Sequence, residues 1–374
     1  MDAGRDPVTN ERIQITRSGF ATKKEASAAQ AELELELSKG TYVEETDMSF
    51  KDFAQNWLEH YARQHVKEST VRVRSKEVKM FLHYFNQVPI KNITKKMYSD
   101  ALLDMLNRGL AENTISGAHG TGKMIFKRAL EQDLLKTDPT QFARAPRRIA
   151  TVEEIENKVE LPKYLEKEEL AHFLKVAQTN GLLGDYEMFL LLAYSGIRVG
   201  EMVVLRESDI SDGKISITKT YYNPNNNAVQ YKIQTPKTRS SIREVEVEPT
   251  VIKAIERYTA KIKEYKMLNR DVYYDKGYIF PNTNKNPGYP NFVKTIENRM
   301  LRLLRIAGLN ESLTPHSLRH THTSLLAEIG VPIYDIMDRL GHKDDATTRL
   351  VYMHVTKQRK KEASQKFGEL MQNL

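Results

Sequence analysis

The stretch TPHSLRHTHTSLL, from Thr314 to Leu326, decides how the chain is read. It sets His316, His320 and His322 around Arg319. Thr314-Pro315 marks a helix start, because a hydroxyl residue followed by proline suits that position. On the helix that follows, His316 and His320 share a face at i, i+4. Zinc uses such pairs, as in H-E-x-x-H. Here no glutamate lies between the histidines, and Arg319 would place a permanent positive charge beside the metal. A guanidinium is instead a planar fork that matches an oxyanion. His316 and Arg319, at i and i+3 near a helix N-terminus, are read as a grip for an anion. His320 and His322 are read as capping or packing residues. No metal and no cofactor is expected.

The totals agree with an anionic partner. The chain has 374 residues, which suggests two or three domains. Its formal charge is +8, which favours nucleic acid or a membrane surface. No apolar run approaches the ~18–20 residues that span a bilayer, and the N-terminus MDAGRDPVTN carries no secretory signal. Cysteine is absent, which removes disulfides, thiol catalysis and cysteine-ligated zinc.

Four segments follow from patterning, at 1–45, 46–145, 146–162 and 163–374. The first reads as a turn at Asp6-Pro7, a short strand near Arg12–Arg17 and a helix from Lys23 to Gly40. That is either a minimal domain or one lacking its first strand. The second reads as four helices. Phe50, Phe53, Trp57 and Tyr61 follow helical spacing, Ser69-Thr70 can cap a second helix, Thr94 starts a third, and Asn113-Thr114 a fourth. Arg72, Lys76 and Lys79 lie on one outer face and Lys123 and Lys127 on another. Such stripes are usually solvated faces, but two of them could clamp a duplex. GAHGTGKM (117–124) nearly matches a phosphate-binding loop, yet Met124 stands where a hydroxyl should hold magnesium and no strand precedes it. The proline-bearing linker adds Arg147 and Arg148. The last segment reads as helices at 166–178 and 186–194. Strands at 214–222 and 229–233 then flank Asn223-Pro-Asn-Asn-Asn227, a third strand follows at 242–247, and helices continue from Pro249.

Four separated stretches of this last segment resemble the tyrosine site-specific recombinases of the phage and conjugative-element integrase type. AYSGIRVGEMVVLRESDI (193–210) resembles the family's first arginine box, TPKTRSSIREV (235–245) its lysine hairpin, HSLRH (316–320) its H-x-x-R box, and LGHKDDATTRLVYMHV (340–355) its final box. The resemblance implies a catalytic set of Arg198, Lys237, His316, Arg319, His342 and Tyr352. It implies a mostly α fold with a small β-sheet: a helical core-binding domain plus a mixed α/β catalytic domain, together forming a C-shaped DNA clamp. The N-terminal piece resembles an arm-site-binding domain. The implied partners are double-stranded attachment or core sites, a homo-tetramer on DNA, an excisionase and a host DNA-bending protein, with no membrane. The implied location is the bacterial cytoplasm, on DNA. The tail, with Phe367, Leu370, Met371 and Leu374, either packs on its own protein or docks onto a neighbouring protomer.

The chemistry follows from the residue types. Two guanidinium forks would neutralise the non-bridging phosphate oxygens. Lys237 can protonate a departing 5′ oxygen, which arginine cannot. Lys232 and Arg239 stand close enough in sequence to compete for that role. Tyr352 would attack phosphorus, aided by the cationic pocket and by His316 and His342. Glu201 and Asp209 are read as supports, the first for the arginine pocket and the second as a turn cap. The expected function is integration and excision of a mobile element or prophage, through a 3′-phosphotyrosyl link and a Holliday junction. The alternatives are a type IB topoisomerase-like enzyme and a catalytically silent DNA-binding regulator.

Overall fold

The computed structural model describes residues 2–5, 12–14, 16, 18–38, 47–149, 151, 163–236, 238–341, 348–353 and 371. The Asp6-Pro7 turn, Gly40, most of the linker, Lys237, His342, His354 and all of the tail but Met371 lie outside these residues. The chain divides into two compact units, 1–158 and 159–374.

The first unit opens with β1 (Asp2–Arg5) paired antiparallel to β2 (Arg12–Gln14), followed by α1 (Lys23–Ser38). The sequence reading misses β1, since DAGR has no apolar alternation to announce it. Four helices follow: α2 (Phe50–Arg63), α3 (Glu68–Phe85), α4 (Lys95–Asn107) and α5 (Glu112–Glu131). Ser49 caps α2 by accepting from the Asp52 amide at 3.1 Å, and Thr94 caps α4 through the Met97 amide at 3.2 Å. Ser69-Thr70 does not cap α3. That helix begins one residue earlier at Glu68, whose carboxylate suits the positive end of the helix, and Lys67 precedes it without a side-chain cap. Likewise α5 starts at Glu112, ahead of Asn113-Thr114.

Phe50, Phe81, Phe85, Tyr98 and Phe126 close the core of this unit with ring centroids 5.5–6.5 Å apart. The stretch 117–124 lies wholly inside α5. It forms no phosphate loop. A Cβ at Gly122 would collide with the Tyr98 ring and meet Phe81, so that glycine lets two helices approach closely.

The second unit opens with α6 (Lys167–Asn180), α7 (Asp185–Ser195) and the short α8 (Val199–Met202). A three-stranded antiparallel sheet follows, of β3 (Ile210–Ser211), β4 (Lys214–Ile217) and β7 (Arg243–Glu246), in the order β3-β4-β7. A separate hairpin pairs β5 (Thr220–Tyr222) with β6 (Lys232–Gln234). The run at 214–222 is thus two strands. It changes partner where Lys219 leaves the ladder to reach Asp209 at 2.7 Å. The unit ends in α9 (Pro249–Leu268), α10 (Val293–Ala307), α11 (Pro315–Glu328) and α12 (Ile333–Leu340), with a further helical turn at 348–353. α7 is buried nearly all round and forms the centre of the core, with Phe189, Leu191 and Leu192 fully enclosed. The central helix ends on the first arginine box, so that box is held by the best-packed part of the fold. Among the described residues no helix is long and apolar enough to cross a membrane.

Candidate active site

Gly196 closes α7 in the left-handed conformation, φ +63°, with its amide on the Leu192 carbonyl. A Cβ there would lie 2.7 Å from the His322 ring and 2.8 Å from Leu340. The chain then turns outward through Ile197 to Arg198, the residue before α8. Glu201 accepts the Arg198 amide at 2.9 Å and its Nη1 at 2.9 Å. The Arg198 side chain keeps 35% of its surface exposed, so a phosphate can still reach it. Glu201 is only 2% exposed. Burial pushes its carboxyl up, but the charges and hydrogen bonds of Arg243 and Arg198 outweigh that and hold it below the ordinary range. It is therefore an ionised support.

Arg319 is buried, at 2% exposure, in the second turn of α11. Its Nη1 donates to the Gly196 carbonyl and its Nη2 to the Leu340 carbonyl, both at 2.6 Å. One guanidinium thus ties the start of the first arginine box to the last residue of α12. His316 is exposed in the first turn of the same helix, after Thr314 and with Pro315 at the start as expected. Its ring meets that of His320 edge-on, at 4.9 Å between centroids. Among the described residues no group of three acidic or histidine side chains is placed to hold a metal ion.

His322 is a packing residue. Its Nδ1 lies 2.9 Å from the Ala193 carbonyl, and its Nε2 accepts from Arg339 Nε at 3.0 Å. Burial, with the Arg339 charge behind it, pushes its pKa down to about 3. The ring is neutral, with its proton on Nδ1. Asp209 caps its turn by accepting the Arg206 amide at 2.8 Å, and it also holds Lys219. Neither carboxylate is free to act as a base.

Tyr352 lies half-buried on the turn at 348–353. It packs on the cluster of Ala327, Ile336 and Leu340, which belong to α11 and α12. The same two helices carry the Arg319 guanidinium and its Leu340 acceptor. Arg198, Arg319 and Tyr352 are thereby brought onto one connected framework. His316 shares a helix with Arg319. Lys237 and His342 are outside the described residues. Their neighbours are placed, since Thr238 Oγ1 lies 2.9 Å from Ser241 Oγ and Gly341 closes α12 with φ +71°.

The residues proposed for DNA contact lie in the first unit. Arg72, Lys76 and Lys79 are exposed on α3, opposite the buried Val78, Phe81 and Phe85. Lys123 and Lys127 are exposed on α5, with Lys127 4.0 Å from Glu131. Arg147 and Arg148 are exposed on a segment without regular secondary structure, where the Arg148 amide donates to Glu112 at 2.9 Å.

Sequence reasoning misses two arginines. Arg243 is 6% exposed on β7, and Arg339 reaches from α12 to His322 and the Glu246 carbonyl. A signal for Arg243 exists: it stands in phase with Val245 and Val247, on the buried face of the strand.

Comparison with known proteins agrees with this geometry. Residues 163–359, more than half of the chain, match the model of the phage integrase family. Residues 1–37 match an arm DNA-binding domain and 49–105 an N-terminal SAM-like domain of phage integrases. The prophage ps2 probable integrase of Lactococcus lactis is 28% identical over 369 residues, 95% of this chain and 93% of its own. The ICEBs1 integrase of Bacillus subtilis is 26% identical, over 98% of this chain and 95% of its own. Among solved structures, the Tn1549 transposon integrase in complex with transposon right end DNA superposes with a TM-score of 0.65 at 21% identity. It covers 85% of this chain and all of that one. The lambda integrase tetramer bound to a Holliday junction gives 0.58 at 18%, over 93% of this chain and 90% of that one. The buried arginine framework, the four boxes that supply it and the family match agree: the chain belongs to the phage integrase family of tyrosine recombinases.

Proposed function

We propose that this site-specific DNA recombinase integrates and excises a mobile element, with Tyr352 as its nucleophile. The Tyr352 Oη attacks phosphorus and the bond to the 5′ oxygen breaks. Lys237 gives that oxygen a proton. The product is a 3′-phosphotyrosyl link and a free 5′ hydroxyl. A 5′ hydroxyl from the partner duplex then attacks phosphorus, the new phosphodiester forms, and the phenol leaves with a proton. Arg198 neutralises charge on the non-bridging oxygens, while Arg319, whose fork is held by the Gly196 and Leu340 carbonyls, braces the pocket and adds its fixed positive charge to it. His316 and His342 hydrogen-bond the phosphate and move the nucleophile's proton.

The observation that carries this reading is the Arg319 guanidinium. It joins the Gly196 carbonyl, two residues before Arg198, to Leu340 on the packing surface of Tyr352. The basic faces of α3 and α5 suit the phosphates of a core site, and the 1–45 segment suits a separate arm site. Residues 46–145 would grip core DNA, and 163–374 would carry the chemistry. Two exchanges through a Holliday junction need four active sites, hence four protomers on two duplexes. An excisionase and a DNA-bending host protein would set direction.

The test offers the protein two duplexes that each carry a core site. Joint molecules and four-way junctions are expected. Relaxation of supercoils without joint molecules would instead establish the topoisomerase alternative.

A further inference from the structure

Arg243 makes four hydrogen bonds, three of them to parts of the chain that are distant in sequence. Its Nη2 and Nη1 donate to Glu201 Oε2 and Oε1, at 3.1 and 3.4 Å. Its Nε donates to the Arg339 carbonyl at 2.8 Å, and Nη1 also to the Ser241 carbonyl at 3.1 Å. Its stem lies against Gly341, where a Cβ would come 3.0 Å from Arg243 Cδ.

Stability alone does not call for this residue. A well-packed apolar side chain in place of a buried ion pair is often neutral or better. The bonds instead join the lysine hairpin to the first arginine box and to the residue just before the final box. Glu201 is the carboxylate that holds Arg198, and Arg339 to Gly341 is the chain that leads into His342. The last carbonyls of α12 lack helical partners. Those of 339, 340 and 341 accept from Arg243, Arg319 and Ser241, at 2.8, 2.6 and 3.4 Å. The end of that helix is therefore fixed by side chains of the other boxes.

We infer that Arg243 is a positioning residue for strand cleavage. Through Glu201 it sets the direction of the Arg198 fork, and through the Arg339 carbonyl and Gly341 it fixes the end of α12. This rests on the phosphotyrosyl reading above. Lysine keeps the charge at 243 but cannot span Glu201 and the Arg339 carbonyl with a planar fork.

The experiment measures single-turnover formation of the covalent adduct on a nicked core-site duplex, with DNA affinity and melting temperature alongside. Arg243→Lys is expected to slow cleavage roughly 10- to 100-fold, the scale of a 1 Å misplacement, while affinity stays within about twofold. A methylphosphonate at the scissile position, which replaces one charged oxygen with a methyl group, separates positioning from general loosening. The ratio of wild-type to variant rate should shrink on the diastereomer that removes the oxygen facing Arg198. An unchanged rate, or the same loss on both diastereomers and on phosphate, would overturn the inference. If the lysine variant does not fold by circular dichroism, Arg243→Gln, whose amide can still donate to the Arg339 carbonyl, is read by the same ratio. Absence of any wild-type adduct would remove the phosphotyrosyl reading itself, and this inference with it.

Discussion

Glu201→Gln tests the electrostatic framework in one atom. The carboxylate is 2% exposed and accepts from two arginines and one backbone amide. Arg243, its closest match in burial, is 6% exposed. The amide keeps the shape and one acceptor, but it leaves the buried Arg243 cation without its counter-charge and turns an NH2 toward a donor. Breaking a buried pair from one side costs about 3–5 kcal/mol, and the retained shape argues for about 3. In a unit of this size, each kcal/mol shifts melting by roughly 2–4 °C, so a fall of about 6–12 °C is expected. Differential scanning calorimetry of the full chain reads it, because the two units can melt separately. Only the transition of unit 159–374 should move. A shift below about 2 °C would refute the claim that Glu201 is an ionised, buried support.

The other predictions use the same site and the basic face of α3. Because the Glu201 pKa is depressed in the fold, its contribution is fully present above the unfolded carboxyl value, near pH ~4.3, and is lost as pH falls through the folded value. The melting gap between wild type and Glu201→Gln should therefore narrow as the medium is acidified below that range. A gap that is constant with pH would count against an ionised Glu201. Gly196→Ala should destabilise by about 2–4 kcal/mol, from the left-handed backbone and the contacts with His322 and Leu340, measured by urea unfolding. A neutral alanine there would mean that α7 and α11 are not so closely packed. Lys76→Ala should weaken DNA binding and flatten the dependence of log K on log salt by about 0.9, the release expected for one phosphate contact. An unaltered slope would return that lysine to the solvated face.

Much of the site was legible because its parts are local. Gly196, Arg198 and Glu201 fall within six residues, and Pro315, His316 and Arg319 within one helix start. Helical spacing likewise revealed α2, α3 and α5, and the Thr94 cap with the Gly109 stop revealed α4. What escaped is long-range. The contacts of Arg243 run to residues 42 and 96 positions away, and no periodicity carries such information. Only its phase with Val245 hinted at burial. The break between β4 and β5 was hidden for a related reason: alternation continues across it, and only the pairing partners change. The glycines of 117–124 were correctly set aside as a phosphate loop, but their own role was hidden. They fit a phosphate motif by spacing, yet Gly122 serves the crossing of α5 over Tyr98.

The central claim is a covalent DNA link at Tyr352. Its most direct measurement mixes the protein with nicked core-site DNA, in chelator and without ATP, then denatures the mixture and looks for a protein–DNA adduct. The account predicts an adduct in wild type, its loss in Tyr352→Phe with DNA binding retained, and a peptide map that places the nucleotide on the turn at 348–353. An adduct that persists in Tyr352→Phe, or none on DNA that the protein binds specifically, would contradict it.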